Sequence, residues 1–521
     1  MAFGLFIVVI GALFIYARRH FEPYIRDLAI QYLEEHFDSK VELASLRVEL
    51  PSFSDLAQMA RGRAVLLSVE GEGFSIRHMG RTDILPMFKL DKFRASVDLN
   101  TLYSGAKNVP IVILDKMEIN IPPKGERPKL GGKKQEQQTP QPEQPEKPKK
   151  GSGVVIDQVL IRDATLRILP RDPSRIPLQF DLYDIRLNSA GKDVAMKYEA
   201  YLTNPKPKGE IHSTGTFGPW ASGSPSDTPL SGTYLFENAD LGVFNGIAGI
   251  LKSTGTFDGQ LGSINARGEA TVPDFRLKMS GNPVPLQTTF EVLVDGTNGN
   301  TVLQPVHATL GSTQLTTSGA IVRNIGDQRK TIDLEAHIPA GNLRDVLRLA
   351  MKGPTPFMEG TLKLDTKIKI PPLSGKVKEK LELDGTFDVT NGKFLKTTIQ
   401  DQIDRLSRMA QGQPKNEEID EVVSRMSGRF RMDDQVLTFR RLAFAIKGAA
   451  VNVEGKVDMA KDDLDIRGVA TLDAKVSETQ SGWKRWALKP VDPFFAKNGA
   501  GTYVKIKITG SAKQPKFGLD R

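Results

Sequence analysis

Six histidines (His20, His36, His78, His212, His307 and His337) and one acidic knot (Asp462, Asp463 and Asp465) are the residues with the means to bind a metal or move a proton. A catalytic zinc site calls for a close pair such as HExxH, and these histidines are scattered along the chain. The three aspartates stand in AKDDLD, without the glycine and terminal glutamate of a calcium loop, so the sequence predicts a hairpin turn there. No GxSxG nucleophile elbow occurs, and no Walker or dinucleotide glycine loop. With no cysteine, the chain has no disulfides, thiolate metal sites or cysteine nucleophiles. A protein that is not an enzyme, with no metal and no cofactor, is the expectation; catalysis would need a constellation assembled only in three dimensions.

A different chemistry is written near the C-terminus. Trp483, Lys484, Arg485 and Trp486, followed by Pro493-Phe494-Phe495, have the composition favoured at a membrane interface, where rings sit at headgroup depth and cations meet phosphates. The competing reading is that both tryptophans plug the end of a sheet as core.

The elements that must position these residues are overwhelmingly strands. In Phe93 to Leu99, Leu362 to Ile370 and Val504 to Ile508 every second side chain is apolar, the period of a strand with one wet and one apolar face. Early strands are expected at 41–50, 64–76, 89–99 and 109–121. Glycines 215, 255, 385 and 455 recur in similar polar-Gly-β settings at irregular intervals, and are read as turn or bulge positions at strand starts. One helical hairpin is expected at about 397–426, from Ile399, Ile403, Leu406 and Ala410, then Ile419, Val422, Val423 and Met426. Residues in phase with the alternation are candidates for a continuous apolar lining: Val97, Leu99, Ile119, Ile121, Ile161, Leu166, Ile168, Leu364, Ile368, Val504 and Ile506.

Ala2 to Ala17 carries no charge over sixteen residues, slightly short of the roughly 20 that cross a bilayer as a helix. A cleaved signal peptide is the rival, but Tyr16-Ala17-Arg18-Arg19-His20 is no small-residue processing site, so an uncleaved anchor at 1–19 is expected. Arg18 and Arg19 by themselves favour a cytoplasmic body. An amphipathic helix should follow, with Phe21, Ile25, Leu28, Tyr32 and Leu33 on one face. The segment 124–153, rich in Pro, Gln, Lys and Glu, reads as a disordered linker between a section at 20–123 and a body at 154–521. Eight of the Lys and Arg residues against four Glu fall within 124–150, so this linker supplies much of the formal charge of +9 and a nucleic-acid partner is not expected.

The order of these pieces resembles the AsmA-like proteins of Gram-negative bacteria, of AsmA/TamB type within the bridge-like lipid transfer superfamily. The resemblance lies in PYIRDLAIQYLEEHFDSKVELASLRVEL after the apolar segment, MFKLDKFRASVDLNTLYSGAKNVPIVILDKMEINIPP, VVIDQVLIRDATLRILP with IPLQFDLYDIRLN, and the terminal GAGTYVKIKITGSAKQPKFGLD. It implies a mainly β fold: a transmembrane helix, then an elongated, curved antiparallel groove with a few amphipathic helices. It further implies an inner-membrane anchor with a periplasmic body, phospholipids as ligands, and a role in cell-envelope and outer-membrane biogenesis. The alternative is a non-enzymatic assembly or structural factor whose partners are outer-membrane or envelope assembly proteins met at exposed strand edges.

Overall fold

A computed structural model describes residues 40–49, 65–77, 85–98, 107–121, 154–169, 178–190, 195–219, 221, 225–323, 329–353, 355–372, 375–412, 422–475, 501–511 and 514–520, with scattered residues at 23–34. The proposed anchor, Leu99, the 124–153 segment, Ile419 and the Trp483 to Trp486 cluster lie outside these residues. Among the described residues no helix is long and apolar enough to cross a membrane. Pro23, Arg26, Asp27, Ile30, Gln31 and Glu34 are helical, in keeping with the expected amphipathic segment. The chain is mainly β and divides into two units, one of residues 1–239 with 254–264, the other of 240–253 with 265–521.

The first unit contains β1 (Lys40–Glu42), β2 (Ser45–Glu49), β3 (Leu66–Arg77), β4 (Phe88–Asp98), β5 (Lys107–Ile121), β6 (Val154–Ile168), β7 (Leu178–Ala190), β8 (Met196–Pro205), β9 (Lys208–Phe217) and β10 (Pro229–Asp240). β1 and β2 share one edge of β3, and from β3 to β10 each strand pairs with the next. Every pairing is antiparallel except β5 with β6, which run parallel from Lys107 beside Val154 to Ile121 beside Ile168. Strands on either side of the 124–153 segment are neighbours in one sheet, and the two units meet near residue 240 in the sequence. Parallel neighbours need a long crossover connection, and this segment supplies the length.

A line of left-handed residues crosses this sheet at one level of the register: Gly73 (φ 67°), Lys116 (φ 53°) and Asp163 (φ 52°). Each reverses the alternation, since an αL residue turns the next side chain to the other face. Leu90, Met117 and Ala164 on one side of the line therefore join Phe93, Leu114, Val159 and Ile161 on the other in a single apolar cluster.

Around the boundary lie β11 (Ile247–Ala248), β12 (Ile250–Gln260), β13 (Ser263–Val272) and β14 (Arg276–Leu277), with β11 paired to β14. The second unit continues with β15 (Leu286–Val294), β16 (Thr301–Leu310), β17 (Thr313–Arg323), β18 (Lys330–Asn342), α1 (Leu343–Ala350), β19 (Met358–Ile370), α2 (Val377–Lys380), β20 (Glu382–Phe394), α3 (Thr397–Ala410), β21 (Ser424–Asp433), β22 (Val436–Ile446), β23 (Ala449–Asp458), β24 (Asp463–Leu472), β25 (Thr502–Ser511) and β26 (Gln514–Leu519). From β15 to β26 each strand pairs antiparallel with its successor.

Three expectations are corrected. The helical hairpin is half present: α3 forms, but Val422 and Val423 are not helical and Met426 lies in β21, where it faces Val389 of β20. Ladder pairing of Met426 with Val389 of β20 and Phe444 of β22 outweighs its helical spacing from Val422 and Val423. The recurrent glycines are inside strands rather than at their starts, with Gly215 in β9, Gly255 in β12, Gly385 in β20 and Gly455 in β23. Gly215 faces Gly232 across a strand pair so tight that a Cβ on it would lie 2.0 Å from the Ser231 carbonyl oxygen. The third correction is the parallel joint in a sheet expected to be antiparallel.

The expected hairpin turn at Asp462 is present. Asp458 faces Asp463, Asp462 is left-handed (φ 54°), and the Asp458 carboxylate accepts hydrogen bonds from the Ala460 and Lys461 amides at 3.0 Å. The organising residue is thus Asp458, four residues before the knot that drew notice.

Candidate functional site

Four rows of side chains run across the strands of the second unit, each fixed by register. The first joins Leu334, Ile368, Leu383, Met432, Leu437, Val457 and Leu464. The next joins Ala336, Thr366, Gly385, Phe430, Phe439, Gly455, Ile466 and Ile508. A third runs through Ile338, Leu364, Phe387, Gly428, Leu442, Val453, Gly468 and Ile506, and a fourth through Leu362, Val389, Met426, Phe444, Val451, Ala470 and Val504. None of these positions is ionisable. Nine strands, β18 to β26, at the usual spacing make this face about 38 Å across.

Two of the four glycines in these rows are covered by neighbouring rings. Gly385 lies beside Phe430 and Gly428 beside Phe387, with the two rings 6.2 Å apart. Aromatic cover of this kind keeps the face continuous where a side chain is missing.

Among the described residues, helices fill the face at one end. Leu343 of α1 packs with Ile338, Met358, Leu362 and Val389 in a fully buried cluster. Ile403, Leu406 and Ala410 of α3 pack on Phe444, Ile446, Ala449 and Leu472. The stripe that predicted α3 is therefore spent on the sheet. Away from these helices, Leu334, Ile368, Leu383, Leu437 and Ile506 remain half-buried, and Leu519 at the β26 edge is 61% exposed.

Of the lining candidates, Leu364, Ile368, Val504 and Ile506 all fall on this face, with Leu364 and Ile506 in the same row. In the first unit Ile119 stands directly opposite Leu166, and Ile161 lies between Leu114 and Ile185. Ile119 and Ile161 belong to the one apolar cluster despite their different phase. Val97 faces Leu67 and is half-buried. Ile121 and Ile168 are register partners at the strand ends. The sequence reading missed Phe387, Phe430, Phe439 and Phe444, although the alternation in RFRMDDQVLTFRRLAFAI carries three of them.

The opposite face of the second unit is charged, and from β18 to β21 its pairs match across strands. Lys367 Nζ lies 3.0 Å from Glu335, and Lys369 Nζ lies 3.6 Å from Glu382. His337 Nδ1 meets Asp365, with Thr316 next in the same row, at the edge of an open polar depression of about 470 Å³. Thr316 makes no hydrogen bond to His337, so the row holds an imidazole and a carboxylate but no activated hydroxyl. Among the described residues no cluster of three His, Asp or Glu could hold a metal ion.

No protein-family model matches this chain, and no curated protein and no solved structure is significantly similar to it.

Proposed function

We propose that the chain is an AsmA-like, inner-membrane-anchored protein whose apolar sheet face shields phospholipid acyl chains on their way through the cell envelope. The observation that carries this reading is the row structure of the second unit: mostly aliphatic and aromatic positions that stay in phase across the bulges, none ionisable, and, among the described residues, covered by helices at one end. An apolar face of this extent calls for a cover, and monomeric proteins seldom leave one bare. A leaflet's hydrocarbon is about 15 Å deep, so the face is long enough for an acyl chain to lie along it.

The mechanism is passive. Each methylene moved into water costs about 0.8 kcal/mol, so exposing two acyl chains costs on the order of 20 kcal/mol. A continuous apolar strip removes most of that barrier while the headgroup stays in solvent, and no residue performs chemistry. In this reading the strip is the lining of an elongated, curved groove, Ala2 to Ala17 is the anchor, and the body is periplasmic.

Aspartate at Leu364 and Ile368 places unpaired charge in the third and first rows of the path, on either side of the Thr366 row. Native mass spectrometry of the gently purified double variant is expected to show loss of the co-purifying phospholipid that the wild type retains. A folded double variant that keeps its lipid would overturn the proposal.

A further inference from the structure

We propose that Arg429, Arg431, Arg440 and Arg441, on the charged face of β21 and β22, form a docking patch for the phosphate groups of an anionic lipid surface. The inference starts from a charge alternation kept from β18 to β21 and broken at the next junction. Arg467 facing Lys507 and Asp458 facing Asp463 break it again further on, but there Arg467 has Asp465 at 3.3 Å and Asp458 has Lys461 at 3.2 Å. From β18 to β21 the strands alternate in sign: Asp333 faces Lys369, Glu335 faces Lys367, Lys367 faces Asp384, and Asp384 faces Arg431. At the next junction Arg429 directly faces Arg441, with Arg440 beside it in the bulge between Phe439 and Leu442.

Like charges directly opposite each other across a strand pair destabilise a sheet. The four side chains are exposed, and among the described residues Arg429 has Asp384 at 3.8 Å as its one carboxylate partner. Among the same residues Arg431, Arg440 and Arg441 make no ion pair with a carboxylate. A site that breaks a stabilising pattern without a compensating contact is where function is to be sought.

The form of the patch selects the partner. A single phosphate ion is held by donors converging on one point, whereas these guanidinium groups are spread over two strands and match phosphates spaced laterally in a leaflet. Single-stranded nucleic acid also presents spaced phosphates, but its binding sites interleave cations with stacking rings. Here Phe430 and Phe439, which alternate with the arginines in sequence, belong to the apolar rows on the other face. This argument is independent of whether the apolar face carries lipid.

The test measures partition of the full chain onto phosphatidylglycerol-rich vesicles relative to phosphatidylcholine vesicles, a ratio that cancels binding through uncharged apolar segments. Each basic residue near an anionic surface contributes about 1 kcal/mol, or about fivefold. The triple variant Arg431→Ser, Arg440→Ser, Arg441→Ser is expected to lower the ratio about 100-fold at low salt, while its melting temperature holds or rises as the Arg429 and Arg441 repulsion is relieved. Lys363→Ser with Lys367→Ser, a loss of charge on the paired strand β19, is expected to leave the ratio within a few-fold of wild type. An unchanged ratio in the triple variant overturns the proposal, and so does a marked fall in its melting temperature. Abolition of wild-type binding by millimolar inorganic phosphate would make the patch a discrete phosphate site, and also overturns it.

Discussion

A methyl group added at Gly215 would stand 2.0 Å from the Ser231 carbonyl oxygen and 2.6 Å from the Gly232 Cα, both backbone atoms that cannot swing aside. Gly215→Ala is therefore expected to cost about 2–4 kcal/mol, read as a lower urea midpoint. Gly353 has nothing within 4 Å of the same added atom, and Gly353→Ala is expected to fall within about 0.5 kcal/mol of wild type. A second residue-scale effect depends on pH. The Arg167 hydrogen bond at 2.7 Å, aided by Arg167 and Lys89 charge, holds the Glu118 carboxyl below its ordinary value of 4.5 against the opposing effect of burial. A depressed carboxylate contributes stability that is complete above its unfolded value and is lost as pH falls through the lowered folded value. Both side chains are about a quarter to a third exposed, so the pair contributes on the order of 1 kcal/mol at neutral pH. Glu118→Gln is expected to remove that amount at pH 7 and to flatten the acid limb of the stability curve below about pH 4.5. Equal slopes for wild type and variant in that limb would refute the assignment.

At the scale of elements, α3 is held by one buried amide as much as by its apolar stripe. Gln400 is 5% exposed; its Oε1 accepts from the Phe394 amide, and its Nε2 donates to Asp404 and to the Val422 carbonyl, all at 2.9 Å. Gln400→Leu leaves a backbone donor and a backbone acceptor without partners, and is expected to cost about 2–4 kcal/mol, with hydrogen exchange accelerated first in α3 and at Phe394. The first leg of this helix was legible because Ile399, Ile403, Leu406 and Ala410 keep one helical face. Its expected partner was not, because Val422 and Met426 satisfy a helical and a strand period equally, and only the neighbouring strands decide. Strand positions were legible to within a few residues, as at Phe88–Asp98 against an expected 89–99. The reversals at Lys116 and Asp163 left a trace that could have been read: Leu114 and Met117, like Ile161 and Ala164, are inward residues three apart, which no unbroken strand allows. The direction of the pairing between β5 and β6 leaves no such trace, since alternation is the same in parallel and antiparallel neighbours.

For the whole molecule, the 124–153 segment joins two strands that already hold each other. A specific protease site placed between Pro123 and Val154 is expected to yield two fragments that migrate together on native size exclusion and separate only in denaturant. Fragments that part in native buffer would show that the parallel pair does not bind the two sides. The candidate site was legible in outline at this scale, as a long apolar phase. The charged face was not, because the sign of a residue matters there only relative to a neighbour tens of residues away.

The parallel joint also orders events in time. Antiparallel neighbours such as β22 and β23 meet across a turn of a few residues, whereas each β5 contact to β6 spans 47 positions of chain, as Ile119 beside Leu166 does. Closing a loop of about 33 residues rather than 3 adds about 2 kcal/mol of entropic cost before any contact repays it. The meanders on either side, β3 to β5 and β6 to β10, are each built from local pairings and can collapse first, with the seam between them closing last. The same seam carries the longest strands of the first unit, fifteen residues each. The joint that is slowest to find its register is thus among those with the most backbone bonds to keep it once found.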